Sequence, residues 1–162
     1  MTRLPLPAWG VIAAVTLVLD QLSKWAAQAW LTYHEPVALL PVFNLTLSYN
    51  TGAAFSFLGS AGGWQRWLFT GFALAVSVVL VVWLRRIAAT ERWQIVGLAL
   101  ILGGAVGNAI DRLAYGHVVD FIHVHWGDWH YPIFNIADSA ITVGVVLVLV
   151  HAFFLEGRPR PG

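Results

Sequence analysis

Four long apolar stretches, roughly Ala8–Leu31, Trp67–Leu84, Ile95–Arg112 and Asn135–Phe154, alternate with polar and aromatic connections along the chain. A hydrocarbon core about 30 Å thick needs about 20 helical residues to cross it, so the pattern predicts four transmembrane helices. The connection from Thr32 to Arg66 is too long for a simple turn. Within it Phe43, Leu45, Leu47 and Tyr49 alternate with Asn44, Thr46, Ser48 and Asn50, a period of two that predicts a half-buried strand. Val118–Trp126, rich in β-branched and aromatic residues, is a second candidate for extended structure. Gly52, Gly59, Gly62 and Gly63 mark turns or close approaches. The short Arg85–Arg92 connection makes the second and third helices a hairpin. The expected fold class is an all-α integral membrane protein of four helices with a small β-rich platform on the outer face. No repeat or composition shift divides residues 1–162, so a single membrane-embedded domain is expected.

Composition sharpens this picture. With 59% apolar and 10% charged residues, the chain is too apolar for an ordinary soluble globule. A formal charge of +1 gives no electrostatic case for a nucleic-acid partner. Without cysteine there is no disulfide, thiolate metal site or thiol nucleophile. Trp9, Trp30, Trp67, Trp83, Trp93 and Tyr115 fall near the ends of the spans, where aromatic belts form. With four spans, Arg3, Arg85, Arg86, Arg92, Arg158 and Arg160 lie on one side, and Lys24, Arg66 and Arg112 on the other. The positive-inside rule then places both termini in the cytoplasm and both long loops outside. Ala27-Gln28-Ala29 after an apolar run imitates a signal-peptide cleavage site. Asp20 and Lys24 interrupt that run, and cleavage would leave three spans and spoil the charge arrangement, so a retained first helix is expected.

Charges are few, and ionisable groups within membrane segments are functional candidates. Asp20 and Lys24 stand at i and i+4 and can pair. The alternative is a neutralised helix end with Lys24 reaching outward. Ser23 and Lys24 diverge as helix neighbours, which argues against a hydrolytic dyad. Asn50-Thr51-Gly52-Ala53-Ala54-Phe55-Ser56 suits either close approach of a peptide or an ordinary turn. Gly103 and Gly107 form a small-xxx-small pair for helix packing. Asn108 and Arg112 share a face beside Asp111, either as site residues or as a seam ending in an Asp111–Arg112 pair. Asp120 and Asp138 flank the entry to the last helix. If they meet they can share a proton and divide general acid and base work, with Asp120 the better candidate for proton carrier. Otherwise Asp138 caps its helix and Asp120 is solvated. His123 and His125 lie on one strand face as a possible ligand pair, with His117 and His130 nearby, but no HExxH motif is present and four solvated histidines are the simpler alternative.

Taken together, Asp20-x-x-Ser23-Lys24, Asn50-x-Gly52-x-Ala54-Phe55-Ser56, Gly107-Asn108-x-x-Asp111-Arg112, Val119-Asp120-Phe121 and Phe134-Asn135-x-Ala137-Asp138 resemble the lipoprotein signal peptidase (signal peptidase II) family. The motifs come in order and cover nearly the whole chain. The resemblance implies four transmembrane helices with a small periplasmic β-rich platform, in the bacterial inner membrane. It implies an aspartic endopeptidase that acts on diacylglyceryl-modified prolipoproteins, cutting on the amino side of the lipid-bearing cysteine, with no metal or other cofactor. Asp120 and Asp138 would be the catalytic pair, supported by Asn50, Asn108, Arg112 and Asn135, with Asp20, Lys24 and Asp111 holding the site together. Ser23 stands where threonine is also usual, and the His123–His130 run lies outside the family pattern. Two other classes compete: a small transporter or channel lined by Asp20, Lys24, Asp111 and Arg112, and a metal-dependent membrane hydrolase that uses the loop histidines.

Overall fold

The computed structural model describes residues 8–52, 63–87 and 91–155. Its helices are α1 (Ala8–Trp30), α2 (Trp64–Arg86), α3 (Arg92–Tyr115) and α4 (Ile136–Val150), the last continued by a π turn, His151–Leu155. All four are long and apolar enough to cross a bilayer, counting the π turn with α4. At 1.5 Å per residue, α1 and α2 are each about 35 Å long. The expected spans are therefore found, with shifted ends. α2 begins at Trp64, so Arg66 lies in its first turn, and α3 runs on to Tyr115.

The helices turn their polar residues inward, as a lipid solvent requires. On α1, Val11, Val15, Val18 and Leu22 are exposed to the surroundings, while Thr16, Asp20, Lys24 and Ala27 are buried. Both rows follow the helical repeat, so the two faces of one helix have opposite partners. α3 is the central helix, with α1, α2 and α4 packed against it. Three glycine-mediated approaches make this possible. A Cβ on Gly103 would lie 2.7 Å from Ala13 O of α1, one on Gly104 2.5 Å from Ala137 O of α4, and one on Gly97 2.7 Å from Gly144 O of α4. The Gly103/Gly107 seam thus packs within the chain. Gly97, Gly104 and Gly144 extend it in a way the small-xxx-small pair did not announce. Leu80, Leu84, Ile95, Leu98 and Leu102 fill the α2–α3 side of the core.

A four-stranded antiparallel sheet sits at one end of the bundle, with strands in sequence order: β1 (Val37–Leu40), β2 (Phe43–Asn50), β3 (Val118–Trp126) and β4 (Trp129–His130). The alternation over 43–50 forms β2, and the β-branched run forms β3. β1 and the two-residue β4 escaped the sequence because they are too short to show a period. Register slips between Leu45 and Ser48, where β2 bulges against β3. Leu47, Val119 and Phe121 seat the sheet on Ala27 of α1. At the end of α3, Gly116 adopts φ 82° and its N–H bonds Arg112 O at 3.1 Å. Arg66 Nη2 adds a bond to Leu113 O at 2.7 Å. The helix closes there, and the chain turns directly into β3.

Candidate active site

The site lies where β3 crosses the start of α4. Phe134 exchanges backbone bonds with Ile122, at 2.8 Å and 3.0 Å. This bridge brings the next residue, Asn135, beside Asp120 on β3. Asn135 then caps α4: its Oδ1 accepts from Asp138 N at 2.9 Å, and Asp138 Oδ2 accepts from Asn135 N at 3.3 Å. This is a capping box with aspartate in the third position. Asp138 does cap its helix, as one alternative held, but its other oxygen takes part in a wider network. Asp120 is 2% exposed, so the solvated alternative is overturned.

Two asparagines connect the acids, and their amide orientations are fixed by partners on both sides. Asn108 Oδ1 accepts from Lys24 Nζ at 2.9 Å and from Asn135 Nδ2 at 3.2 Å, which aims its Nδ2 at Asp138 Oδ1, 2.8 Å away. Asn135 Oδ1 is committed to the helix cap, which aims its Nδ2 at Asp120 Oδ1, 2.7 Å away. Neither amide can flip without placing donor against donor. Asn50 Oδ1 likewise accepts from Gly52 N at 2.9 Å, leaving its N–H₂ for Asp120, to which it also bonds. Burial, and then the nearby charge of Asp138, raise the Asp120 carboxyl to about 7, against the opposing pull of Asn50, Asn135 and Lys24. Asp120 therefore keeps a proton at pH values where an ordinary aspartate has lost it.

Beneath the acids lies a second, buried layer. Lys24 Nζ stands 2.9 Å from Asp20 Oδ2 and 2.9 Å from Asp111 Oδ2, with all three side chains at most 3% exposed. Lys24 thus points into the bundle rather than out to the interface. Asp111 pairs with this lysine rather than with Arg112, since adjacent helix residues diverge. The carboxylates also hold backbone across elements: Asp20 Oδ1 accepts from Ala137 N of α4 at 2.9 Å, and Asp111 Oδ2 from Val119 N of β3 at 3.1 Å. Gly107 is required here, because any Cβ would strike Asp20 Oδ2. Gln21 completes the layer, bonding Asp20 at 3.1 Å, Asp111 at 3.0 Å and Gly107 O at 3.3 Å. It was not singled out from the sequence, where its adjacency to Asp20 was the only signal. Arg112 stays at the edge, with Nη1 on Asn108 O at 3.2 Å and its guanidinium over the Phe69 ring at 5.6 Å. That ring also packs on Gly52, so the Asn50 turn and Arg112 flank the acids. Ala54, Phe55 and Ser56 lie outside the described residues.

All nine sequence-predicted site residues thus enter one connected arrangement. Of the four candidate histidines, His123, His125 and His130 gather elsewhere, further along β3 and on β4, while His117 precedes β3 and packs against the Tyr49 ring.

Residues 12–154 match the model of the family described as signal peptidase (SPase) II. The chain is 54% identical over 153 residues to the lipoprotein signal peptidase of Pseudomonas aeruginosa strain UCBPP-PA14, covering 93% of this chain and 89% of that protein. To the lipoprotein signal peptidase of Acinetobacter baylyi it is 51% identical over 148 residues, covering 91% and 83%. A bacterial membrane enzyme solved by the in meso method at 1.9 Å resolution superposes with a TM-score of 0.83 at 29% identity, covering 94% of this chain and 96% of that one. Four apolar spans, a sheet seated on one end of them and a match along nearly the whole sequence lead to one assignment: the chain is a multi-pass membrane protein that belongs to the signal peptidase II family.

Proposed function

We propose that this peptidase removes the signal peptide from diacylglyceryl-modified prolipoproteins, cutting on the amino side of the lipid-bearing cysteine by an aspartic mechanism with Asp120 and Asp138 as the catalytic pair. The observation that carries the reading is the joining of the two acids through Asn108 and Asn135, each amide locked in one orientation. Asp138 faces N–H donors at both oxygens, the surroundings of an ionised carboxylate, which only accepts. Asp120, raised to about 7, is the partner that carries the proton. Asn50 and Asn135 both donate to Asp120, so its own O–H is left to face the reaction.

In the first step Asp138 takes a proton from water as the water oxygen attacks the scissile carbonyl carbon, and Asp120 gives its proton to the carbonyl oxygen. The resulting diol then collapses. The C–N bond breaks, Asp138 passes its proton to the departing cysteine nitrogen, and Asp120 recovers the hydroxyl proton. Both acids end as they began. Arg112 orients the substrate carbonyl from the edge of the site, while Asp20, Lys24 and Asp111 hold α1, α3, α4 and β3 in register around it.

Membership of the family supports a bacterial inner-membrane protein, and the arginine distribution supports both termini in the cytoplasm with the acids toward the periplasm. A lipid-anchored substrate diffuses in the plane of the bilayer and arrives at a fixed depth, where an acid pair between sheet and helix end meets it. The partners in this reading are the prolipoprotein and the surrounding lipid, and residues 1–162 act as one domain. A transport path is not supported: Asp20, Lys24 and Asp111 are closed on one another and buried.

The test is cleavage of a diacylglyceryl-modified prolipoprotein by the purified protein in detergent with EDTA, beside Asp120→Asn and Asp138→Asn. Cleavage by the wild type that persists in EDTA and is lost in both variants, with fold retained, is expected. Normal processing by either variant refutes the pair.

A further inference from the structure

Three histidines that the reaction does not use, His123, His125 and His130, form a cluster of their own. β3 and β4 pair with His125 opposite His130, and His123 lies two residues back on β3, which puts all three on one face of the sheet. Their ring centroids are 5.0, 5.3 and 5.8 Å apart. Three imidazoles on one tetrahedral ion, with metal–nitrogen bonds of about 2.0–2.1 Å, hold their centroids about 5 Å apart.

We propose that His123, His125 and His130 form a site for a borderline divalent transition ion such as Zn²⁺ or Cu²⁺, which clasps the β4 edge to the rest of the platform. Three observations support it. First, His125 Nε2 is buried and has no hydrogen-bond partner among the described residues; a buried polar atom left bare calls for a partner, which an ion can supply. Second, His123 Nδ1 lies 2.9 Å from Thr46 Oγ1 of β2. A ligating histidine uses this kind of second contact to fix its tautomer, and with Nδ1–H on the hydroxyl, Nε2 presents its lone pair. Third, that Nε2 meets His130 Nδ1 at 2.8 Å, so two donor nitrogens already converge.

As they stand, the rings bond one another rather than enclose a shared point, and no set of three metal-ligating side chains surrounds one among the described residues. Binding displaces the proton between His123 and His130 and turns the bare His125 nitrogen toward the gap. An all-imidazole set, with neither thiolate nor carboxylate, suits Zn²⁺, Cu²⁺ or Ni²⁺ and not Ca²⁺ or Mg²⁺. The cluster begins three residues beyond Asp120, about 10 Å along the strand, so the ion stiffens the platform and takes no part in peptide cleavage.

The experiment is titration of the chelator-stripped protein, purified without a polyhistidine tag, with Zn²⁺ by calorimetry and with Cu²⁺ by electron paramagnetic resonance. One ion per chain is expected, with nitrogen hyperfine structure from imidazole. Affinity should fall at least about tenfold in His125→Ala and in His130→Ala, and about tenfold in Thr46→Val, the range for loss of an outer contact to a ligand. Retained prolipoprotein cleavage confirms that each variant is folded. Absence of saturable binding overturns the proposal. So does unchanged affinity in a His123→Gln, His125→Gln, His130→Gln triple variant, or weakening confined to the exposed His130, which describes an adventitious ion only.

Discussion

Asp120→Asn should abolish cleavage and yet stabilise the protein at alkaline pH, and the two effects have one cause. A carboxyl of ordinary value near 3.8 raised to about 7 in the fold keeps its proton where the unfolded chain has lost it. The folded state then binds more protons than the unfolded one, so stability falls as pH rises between those values. At about 1.36 kcal/mol per pKa unit the penalty is about 2 kcal/mol at pH 5 and about 4 kcal/mol above pH 7, a growth of about 2–3 kcal/mol. Asparagine cannot ionise and removes the pH-dependent part. It introduces a fixed cost, because Asn50 and Asn135 both donate to this position and one carboxamide oxygen replaces two acceptors. One donor so crowded costs about 1–3 kcal/mol. The assay is thermal unfolding in mild detergent, followed by tryptophan fluorescence, of wild type and variant at pH 5 and pH 8. Titrating groups that do not interact with Asp120 cancel in the difference between the two proteins. That difference should move in favour of Asp120→Asn by about 2–3 kcal/mol from pH 5 to pH 8, or about 5–10 °C for a domain of this size. A pH-independent difference would refute the assignment of Asp120 as a buried proton carrier. Wild-type cleavage should likewise decline above about pH 7, as the acid loses its proton.

Lys24→Met should lower the yield of folded protein sharply, because it leaves Asp20 and Asp111 as uncompensated buried acids; breaking such a pair costs about 3–5 kcal/mol, and size-exclusion chromatography after detergent extraction checks it. Gly104→Ala places a Cβ 2.5 Å from Ala137 O, so α4 must move away from α3. A loss of about 1–3 kcal/mol, typical of overpacking, should appear in the unfolding midpoint together with reduced cleavage. Asn135→Ala removes the cap, worth about 1 kcal/mol, and the donor to Asp120; its kcat should fall by far more than its stability does, whereas equal losses would make Asn135 a cap and nothing more.

Hydropathy alone determined the four spans, since about 20 apolar residues have few other destinations. Alternation determined β2, because one buried sheet face imposes a period of two on the sequence. Asp20 and Lys24, four residues apart on a helix, were readable as a pair for the same local reason. What lay beyond reach depended on contacts between distant segments. Asp111 bonds Lys24 across 87 positions and leaves its neighbour Arg112, a choice made by the crossing of α1 and α3 rather than by spacing. Asp120 and Asp138 were two acids at an undetermined distance until the Ile122–Phe134 bridge set Asn135 between them. The orientations of Asn108 and Asn135, which give each acid its donor, follow from Lys24 on α1 and from the cap of α4. A sequence records which groups are present and their local period; the environment that decides which of two aspartates keeps its proton is assembled only when α1, α3, β3 and α4 meet.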